Sequence, residues 1–169
     1  MAGGWESGVE RLWTPWRMEY IQSVGKEDCI FCRKLRAEDD RNELILERGD
    51  HSFLVLNKFP YNSGHLMIAP FRHIDLPSEL TRAESNELFA FLVRGEKTLK
   101  AAFNPDGFNV GANIGRCSGA GVVGHFHLHI VPRWVGDTNF MPVLGETRVL
   151  PQTLEETYDI LKRVQQGIG

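Results

Sequence analysis

The sequence predicts an α+β domain: a mostly antiparallel five-stranded sheet with one long central helix and a C-terminal helix. Three observations carry this. Five short runs with strand-like composition lie between Glu43 and Val131. Two Thr-x-x-Glu capping boxes each open a stretch whose apolar residues recur at helical spacing. The longer of those stretches falls between the third and fourth strand runs, and turn residues separate the first three as in hairpins. At 169 residues the chain is long enough to bury one sizeable core.

Taken in order, residues 1–28 are read as an N-terminal arm and residues 29–169 as a single domain. The arm stretch RLWTPWRMEYI carries Trp13, Trp16, Met18, Tyr20 and Ile21 around Pro15. It is expected to bury these side chains irregularly on its own domain. Cys29 and Cys32 form a C-x-x-C pair at the start of a mixed segment, and EDDRN (38–42) is expected to be a solvated linker. ELILER (43–48) and HSFLVLN (51–57) are strands around a Gly49-Asp50 hairpin signal, which leaves His51 on the solvated surface. FPYNSG is a loop and HLMIAP (65–70) the third strand. Thr81 to Glu84 caps the long helix, with Leu88, Phe91, Leu92, Leu99 and Ala102 on its apolar face. GFNVGAN (107–113) alternates Phe108 and Val110 with Asn109 and Gly111 as a fourth strand. HFHLHIV (125–131) is the fifth, expected to end at Pro132. Thr153 to Glu156 caps the last helix, carrying Leu154, Tyr158, Leu161 and Val164.

Composition excludes several classes. Nineteen Lys and Arg against twenty-two Asp and Glu give a formal charge of −3, so no global basic field exists for gripping nucleic acid. The opening MAGGWESGVERLW lacks an apolar signal core, and no run approaches the ~20 apolar residues of a membrane span. No membrane partner is expected, and the expected compartment is the cytoplasm. Three cysteines do not make a disulfide framework.

HFHLHIV holds half of the six histidines. On a strand, side chains alternate, so His125, His127 and His129 share one face and Phe126, Leu128 and Ile130 the other. Neighbouring histidines then stand ~6.6 Å apart and the outer two ~13 Å apart. All three cannot easily serve one metal ion with bonds of ~2.0 Å, so they divide between jobs.

H-φ-H-φ-H-φ-φ, with φ apolar, resembles the signature of the histidine triad (HIT) family of nucleotide hydrolases and transferases. FLVLNKFPYNSGHLMIAPFRH is similar to that family's two central strands, and GFNVGANIG to the strand before its triad. LWTPWRMEY and VPRWVGDTNF resemble the bacterial branch that contains dinucleoside polyphosphate (diadenosine tetraphosphate) phosphorylases and hydrolases. The resemblance implies a HIT-like fold, a homodimer whose sheets join edge to edge, and a nucleotide substrate with adenine as its base. It makes His127 the nucleophile that attacks an α-phosphorus to form a nucleotidyl-histidine. The chemistry suits the residue: an imidazole with an ordinary pKa near ~6.5 is largely neutral at neutral pH and needs no separate base. The His125 carbonyl is expected to fix its tautomer, and His129 to hydrogen-bond phosphate oxygens.

The same resemblance places Asn57 at the ribose hydroxyls and Asn113 at phosphate or leaving group. Ile30 and Phe31 are candidates for an apolar base pocket; Phe53 is expected in the core. The stretch NIGRCSGAGVVG (113–124) is rich in glycine and alanine, which lets backbone N–H groups approach phosphate. Gly121 stands where many relatives carry glutamine and Val122 where many carry serine or threonine. This shifts phosphate binding toward backbone donors, Arg116 or Ser118. Cys117, in the same stretch, has no assigned role.

C-x-x-C supplies half of a tetrahedral site, and a redox pair would need a helix N-terminus in a βαβ setting. The triad proteins and related galactose-1-phosphate uridylyltransferases complete such pairs with two histidines. By that resemblance Cys29, Cys32, His73 and His125 form a structural Cys₂His₂ zinc site, which leaves His127 free to attack.

Three functional classes compete. The first is the triad nucleotidyl hydrolase or transferase, acting on dinucleoside polyphosphates or nucleoside phosphoramidates with water or phosphate as acceptor. The second is an H-x-H metal-dependent hydrolase, which LHIVPRW disfavours because it offers no carboxylate ligand. The third is a nucleotide-binding regulatory protein without turnover.

Overall fold

The structure is a computed structural model, and it describes residues 29–119, 121–137 and 152–168. The aromatic arm of residues 1–28 and the end of VPRWVGDTNF lie outside the described residues. Five strands form one antiparallel sheet in the order β1-β2-β3-β5-β4. They are β1 (Ile45–Arg48), β2 (Ser52–Leu56), β3 (Leu66–Pro70), β4 (Gly107–Gly111) and β5 (Leu128–Arg133). Among the described residues three α-helices accompany them: α1 (Ile30–Arg36), the 22-residue α2 (Arg82–Phe103) and α3 (Leu154–Ile168).

Both expected capping boxes form. Thr81 N–H donates to Glu84 Oε2 at 2.7 Å, and Glu84 N–H donates back to Thr81 Oγ1 at 3.2 Å. Thr153 and Glu156 repeat the exchange at 2.9 and 3.2 Å. The helix α2 stops where Asn104 takes the left-handed conformation at φ 44°. Between strands, the Glu87 carboxylate of α2 accepts from Asp50 N–H and His51 N–H, both at 2.8 Å, and from Ser52 Oγ. The helix thereby satisfies the hairpin's own donors, and His51 is exposed as expected.

The sheet separates two cores. On one face Leu46, Leu54, Leu56, Leu66, Ile68 and Ile130 pack under α2 and α3, meeting Leu88, Phe91, Leu99, Tyr158 and Leu161. Gly95 lets α2 approach: a Cβ there would lie 2.8 Å from Ile130 Cδ1. On the other face Ile45, Phe53, Val55, Met67 and Ala69 pack with Phe31 of α1 and Val122. Phe53 is fully buried, in line with its expected core role. No helix among the described residues is long and apolar enough to cross a membrane.

Three local expectations change. The C-x-x-C pair does open a helix: Cys29 is the N-cap residue of α1. Seven residues are too few to show a clear helical period. The 38–42 stretch is structured. Asp39 Oδ1 accepts from the N–H groups of Arg41 and Asn42 at 3.0 and 3.1 Å, and Asp40 pairs with Arg48 at 2.8 Å. The fifth strand begins at Leu128 instead of His125 and runs through Pro132. The β3–β5 ladder covers only Leu66–Ile68 against Leu128–Ile130. Beyond it Pro70 has no N–H to give, and its carbonyl is taken by the His125 ring at 2.9 Å. At the other end the Pro132 carbonyl accepts from Asn62 Nδ2 at 3.0 Å, on the side where β3 has already ended. Its nitrogen faces the same side, so the missing donor costs no ladder bond.

Candidate active site

The alternation expected of HFHLHIV holds although its first half precedes β5. Phe126, Leu128 and Ile130 belong to the helix-covered core. His125 and His127 turn to the opposite face, where the Phe31 ring lies 5.2 and 5.0 Å from theirs. The His127 and His129 ring centres are 4.8 Å apart. Phe31 of α1 therefore sets both the second core and one wall of the histidine cluster.

His127 is buried, and its Nδ1 lies 2.8 Å from the His125 carbonyl. A carbonyl only accepts, so the ring proton sits on Nδ1 and the lone pair on Nε2. Burial pushes the His127 pKa below the ordinary imidazole value, against the opposing pull of that carbonyl. The result is a neutral ring of one tautomer, the state an attacking imidazole needs.

His129 is oriented by a chain that starts at a backbone amide. Tyr61 N–H donates to His65 Nδ1 at 3.1 Å, and Asn57 Nδ2 lies 3.2 Å from the same atom. An Nδ1 that accepts puts the His65 proton on Nε2, which faces His129 Nδ1 at 2.8 Å. His129 accepts there, so its own ring proton is on Nε2. His65 has no exposed surface, and burial, aided by the imidazoles of His129 and His127, pushes its pKa down to about 3. At neutral pH it is a neutral relay.

Asn57 Oδ1 accepts from Phe59 N–H at 2.9 Å, which directs its amide nitrogen to His65. Asn57 also lines an apolar pocket with Ile30, Phe31, Gly121 and His129. Five of the expected substrate and catalytic residues thus converge on one pocket, which also touches Lys34, Lys58, Tyr61, Met67 and Val122. Asn113 and Ser118 are not among its walls. Asn113 follows two residues after Gly111, which pairs with His129. The Ser118 hydroxyl donates to the Gly115 carbonyl at 2.7 Å and closes its own turn. Arg116 opens that 3-10 turn, Arg116–Ser118, and its side chain lies outside the described residues. Cys117 is exposed.

Cys29, Cys32, His73 and His125 also converge: one ligand atom from each lies within 4.8 Å of all the others. Cys29 Sγ is 3.2 Å from His125 Nδ1, and Cys32 Sγ is 3.4 and 3.7 Å from Nδ1 of His73 and His125. A tetrahedral zinc ion with ~2.3 Å sulfur and ~2.0 Å nitrogen bonds requires S···N edges of ~3.6 Å. The second ring nitrogen of His125 meets the Pro70 carbonyl, so its proton is on Nε2 and the lone pair of Nδ1 points into the cluster. Burial holds that ring neutral, with a pKa down to about 4. These donors fit a metal ion. Two thiols at a helix start would also suit redox chemistry, but here each faces an imidazole.

Sequence reasoning did not assign His65, Tyr61, Lys34 or Lys58 to the site. The one available signal was that His65 lies eight residues after Asn57 across a turn-rich loop.

A HIT domain profile matches residues 39–135. The chain is 38% identical over 166 residues to the AP-4-A phosphorylase of Mycobacterium tuberculosis, covering 94% of this chain and 85% of that protein. Among solved structures it is similar to a hypothetical histidine triad nucleotide-binding protein from Sulfolobus tokodaii. That match has a TM-score of 0.62 at 25% identity and covers 82% of this chain and 90% of the other. A zinc-bound histidine triad family protein from Mycobacterium smegmatis shares the fold, with a TM-score of 0.66 at 23% identity over 85% and 97% of the two chains. With the profile spanning more than half of the chain and the triad in its expected arrangement, this protein belongs to the HIT domain family.

Proposed function

We propose that the protein is a nucleotidyl hydrolase or transferase that works through a covalent nucleotidyl-His127 intermediate, with a dinucleoside polyphosphate as substrate and phosphate as the favoured acceptor. The observation that carries this reading is the His127 ring itself. It is buried and neutral, and its Nδ1–H is tied to the His125 carbonyl, so that Nε2 alone can attack.

On diadenosine tetraphosphate, Nε2 attacks the α-phosphorus, the α–β bridging P–O bond breaks, and ATP leaves. The adenylyl group is then bonded through nitrogen to a cationic ring, a bond that is readily broken. Attack by phosphate gives ADP and restores the neutral imidazole; attack by water gives AMP. His129 presents Nε2–H to the phosphate oxygens, where negative charge accumulates in the transition state. Ile30, Phe31 and Met67 offer apolar surface to the base, and Asn57 stands beside them for the ribose. Similarity to the mycobacterial AP-4-A phosphorylase along nearly the whole chain favours phosphate over water as acceptor. A nucleoside phosphoramidate is the alternative substrate of the same site.

Cys29, Cys32, His73 and His125 would hold one zinc ion. With four protein ligands it has no open position, so it supplies cross-linking between α1 and the segment before β5, not reaction chemistry. A catalytic metal of the H-x-H type is disfavoured, because His129 accepts through Nδ1 and carries its proton on Nε2, which leaves that ring no lone pair for a metal ion.

The test is incubation with diadenosine tetraphosphate with and without inorganic phosphate. ADP and ATP appearing only with phosphate support phosphorolysis, and AMP and ATP in both tubes indicate a hydrolase. No turnover under either condition contradicts the reading.

A further inference from the structure

The two residues enclosed by the C-x-x-C pair, Ile30 and Phe31, both line the nucleotide pocket. The Phe31 ring also stands 5.0 Å from the His127 ring. Across the cluster, His125 sets the His127 tautomer through its carbonyl. Cys29, Cys32, His73 and His125 therefore grip a pocket wall on one side and the segment of the proposed nucleophile on the other.

The cluster has one open side. His125 is buried and the two cysteines are half-buried, but His73 is exposed. Cys32 meets that exposed imidazole at 3.4 Å, whereas Cys29 meets the buried His125 at 3.2 Å. The two Sγ atoms lie within 4.8 Å of each other, and both thiols are free. Cys29 is the N-cap residue, at φ −57° and ψ 119°, so it stands outside the regular helix that holds Cys32. A disulfide wants Cβ atoms ~3.5–4.5 Å apart, while helical residues three apart hold theirs ~5–6 Å apart. Closing the bond needs a shift of about 1–2 Å, which Cys29 can make and which breaks the four-ligand arrangement.

We propose that Cys29 and Cys32 are a site of reversible oxidation, at which a peroxide exchanges the zinc clamp for a Cys29–Cys32 disulfide and slackens the nucleotide site. The Cys32 thiolate, on the open side, attacks a peroxide oxygen; the O–O bond breaks, hydroxide leaves and the sulfur becomes a sulfenic acid. The Cys29 thiolate then displaces hydroxide from that sulfur and forms the S–S bond. Two thiolates, one hydrogen peroxide and two protons give one disulfide and two waters, and the sulfurs lose the two electrons that the peroxide gains. Disulfide sulfurs carry no charge, so only His73 and His125 remain to hold the metal, too few for a tetrahedral structural site. A dithiol reductant reverses the exchange. The oxidation stands on the cluster alone; its effect on turnover rests on the proposed nucleotidyl reaction.

The test uses the full chain, zinc-loaded and carrying Cys117→Ser, so that the exposed third thiol does not react. After treatment with hydrogen peroxide, zinc release is read with a chromogenic chelator, the remaining thiols are counted, and the peptide holding Cys29 and Cys32 is weighed. The expected result is loss of both thiols together, a peptide lighter by the two thiol hydrogens, and release of the zinc. kcat/KM for diadenosine tetraphosphate should fall about tenfold or more, the cost of losing a supporting shell, and return with dithiothreitol and zinc. In Cys32→Ser the residual activity should not respond to peroxide. Zinc retained under peroxide, sulfonic acids in place of the disulfide, or an unchanged kcat/KM after the disulfide has formed overturns the proposal. So does a loss that dithiothreitol does not reverse, which belongs to sulfoxide formation at Met67 in the pocket. Should the untreated protein turn over no dinucleotide, the reaction is wrong. The zinc, thiol and mass readings then still decide the oxidation, and the His127 ring signals by NMR decide its reach, with a shift supporting the coupling and no shift overturning it.

Discussion

His125 gives its carbonyl oxygen to the Nδ1–H of His127 at 2.8 Å while its own Nδ1 stands 3.2 Å from Cys29 Sγ. One residue therefore joins the Cys₂His₂ cluster to the imidazole that is proposed to attack. Its side chain anchors, and its main chain sets the nucleophile's tautomer.

That coupling makes the metal measurable in two ways. Purified protein should contain one zinc ion per chain by mass spectrometry, and Cys32→Ser should hold a small fraction of that. Because the His125 carbonyl loses its anchor, kcat should fall about 10- to 100-fold, the usual cost of disturbing a supporting shell, with a smaller change in KM. Full zinc in a Cys29→Ser/Cys32→Ser double variant would refute the site.

The His65 relay predicts a split in the kinetics. His65→Phe removes the donor that holds His129 Nδ1 and frees Tyr61 N–H. We expect kcat to fall by about 10- to 100-fold while KM moves within about threefold, since the lost interaction acts on transition-state charge. Nitrogen NMR of the wild type should show the His129 proton on Nε2. A proton on Nδ1 would break the relay.

His65 also predicts an acid dependence of stability. Its pKa is about 3 in the fold and ~6.5 in the unfolded chain. Below ~6.5 the unfolded chain takes up a proton that the folded protein refuses, so this stabilisation is complete above ~6.5 and drains away as pH falls toward about 3. Between pH 7 and 4.5 the wild type should lose roughly 2–3 kcal/mol more in urea unfolding than His65→Asn does. Equal losses in the two proteins would show that His65 titrates normally.

Glu87 predicts a structural effect without a catalytic one. Its carboxylate serves three donors of the β1–β2 turn, far in sequence from the triad. Glu87→Ala leaves those donors to water and should cost about 1–3 kcal/mol by denaturant titration, with kcat/KM unchanged. A large loss of kcat/KM in folded Glu87→Ala protein would contradict this.

The sequence showed the elements more readily than their arrangement. Capping boxes are local, so Thr81 and Thr153 announced both long helices, and strict alternation placed the three histidines on one face. The helix α1 was missed because its seven residues span barely two turns. The insertion of β5 between β3 and β4 is a matter of topology that no local pattern contains. His65 was hidden for the same reason. Its role comes from contacts with Tyr61 N–H and with His129, 64 residues away. The grouping of the four Cys₂His₂ residues was legible only through family resemblance, since Cys29 and His125 are 96 residues apart.

The measurement that bears most directly on the central claim is acid-free quenching of the protein with diadenosine tetraphosphate labelled with ³²P at the α-position, followed by peptide mapping. The account predicts a labelled peptide carrying AMP on His127, stable to base and labile to acid, that forms and decays fast enough to lie on the pathway and is absent from His127→Ala. Wild-type turnover with no protein-bound label, or a His127→Ala variant as fast as the parent, would contradict it.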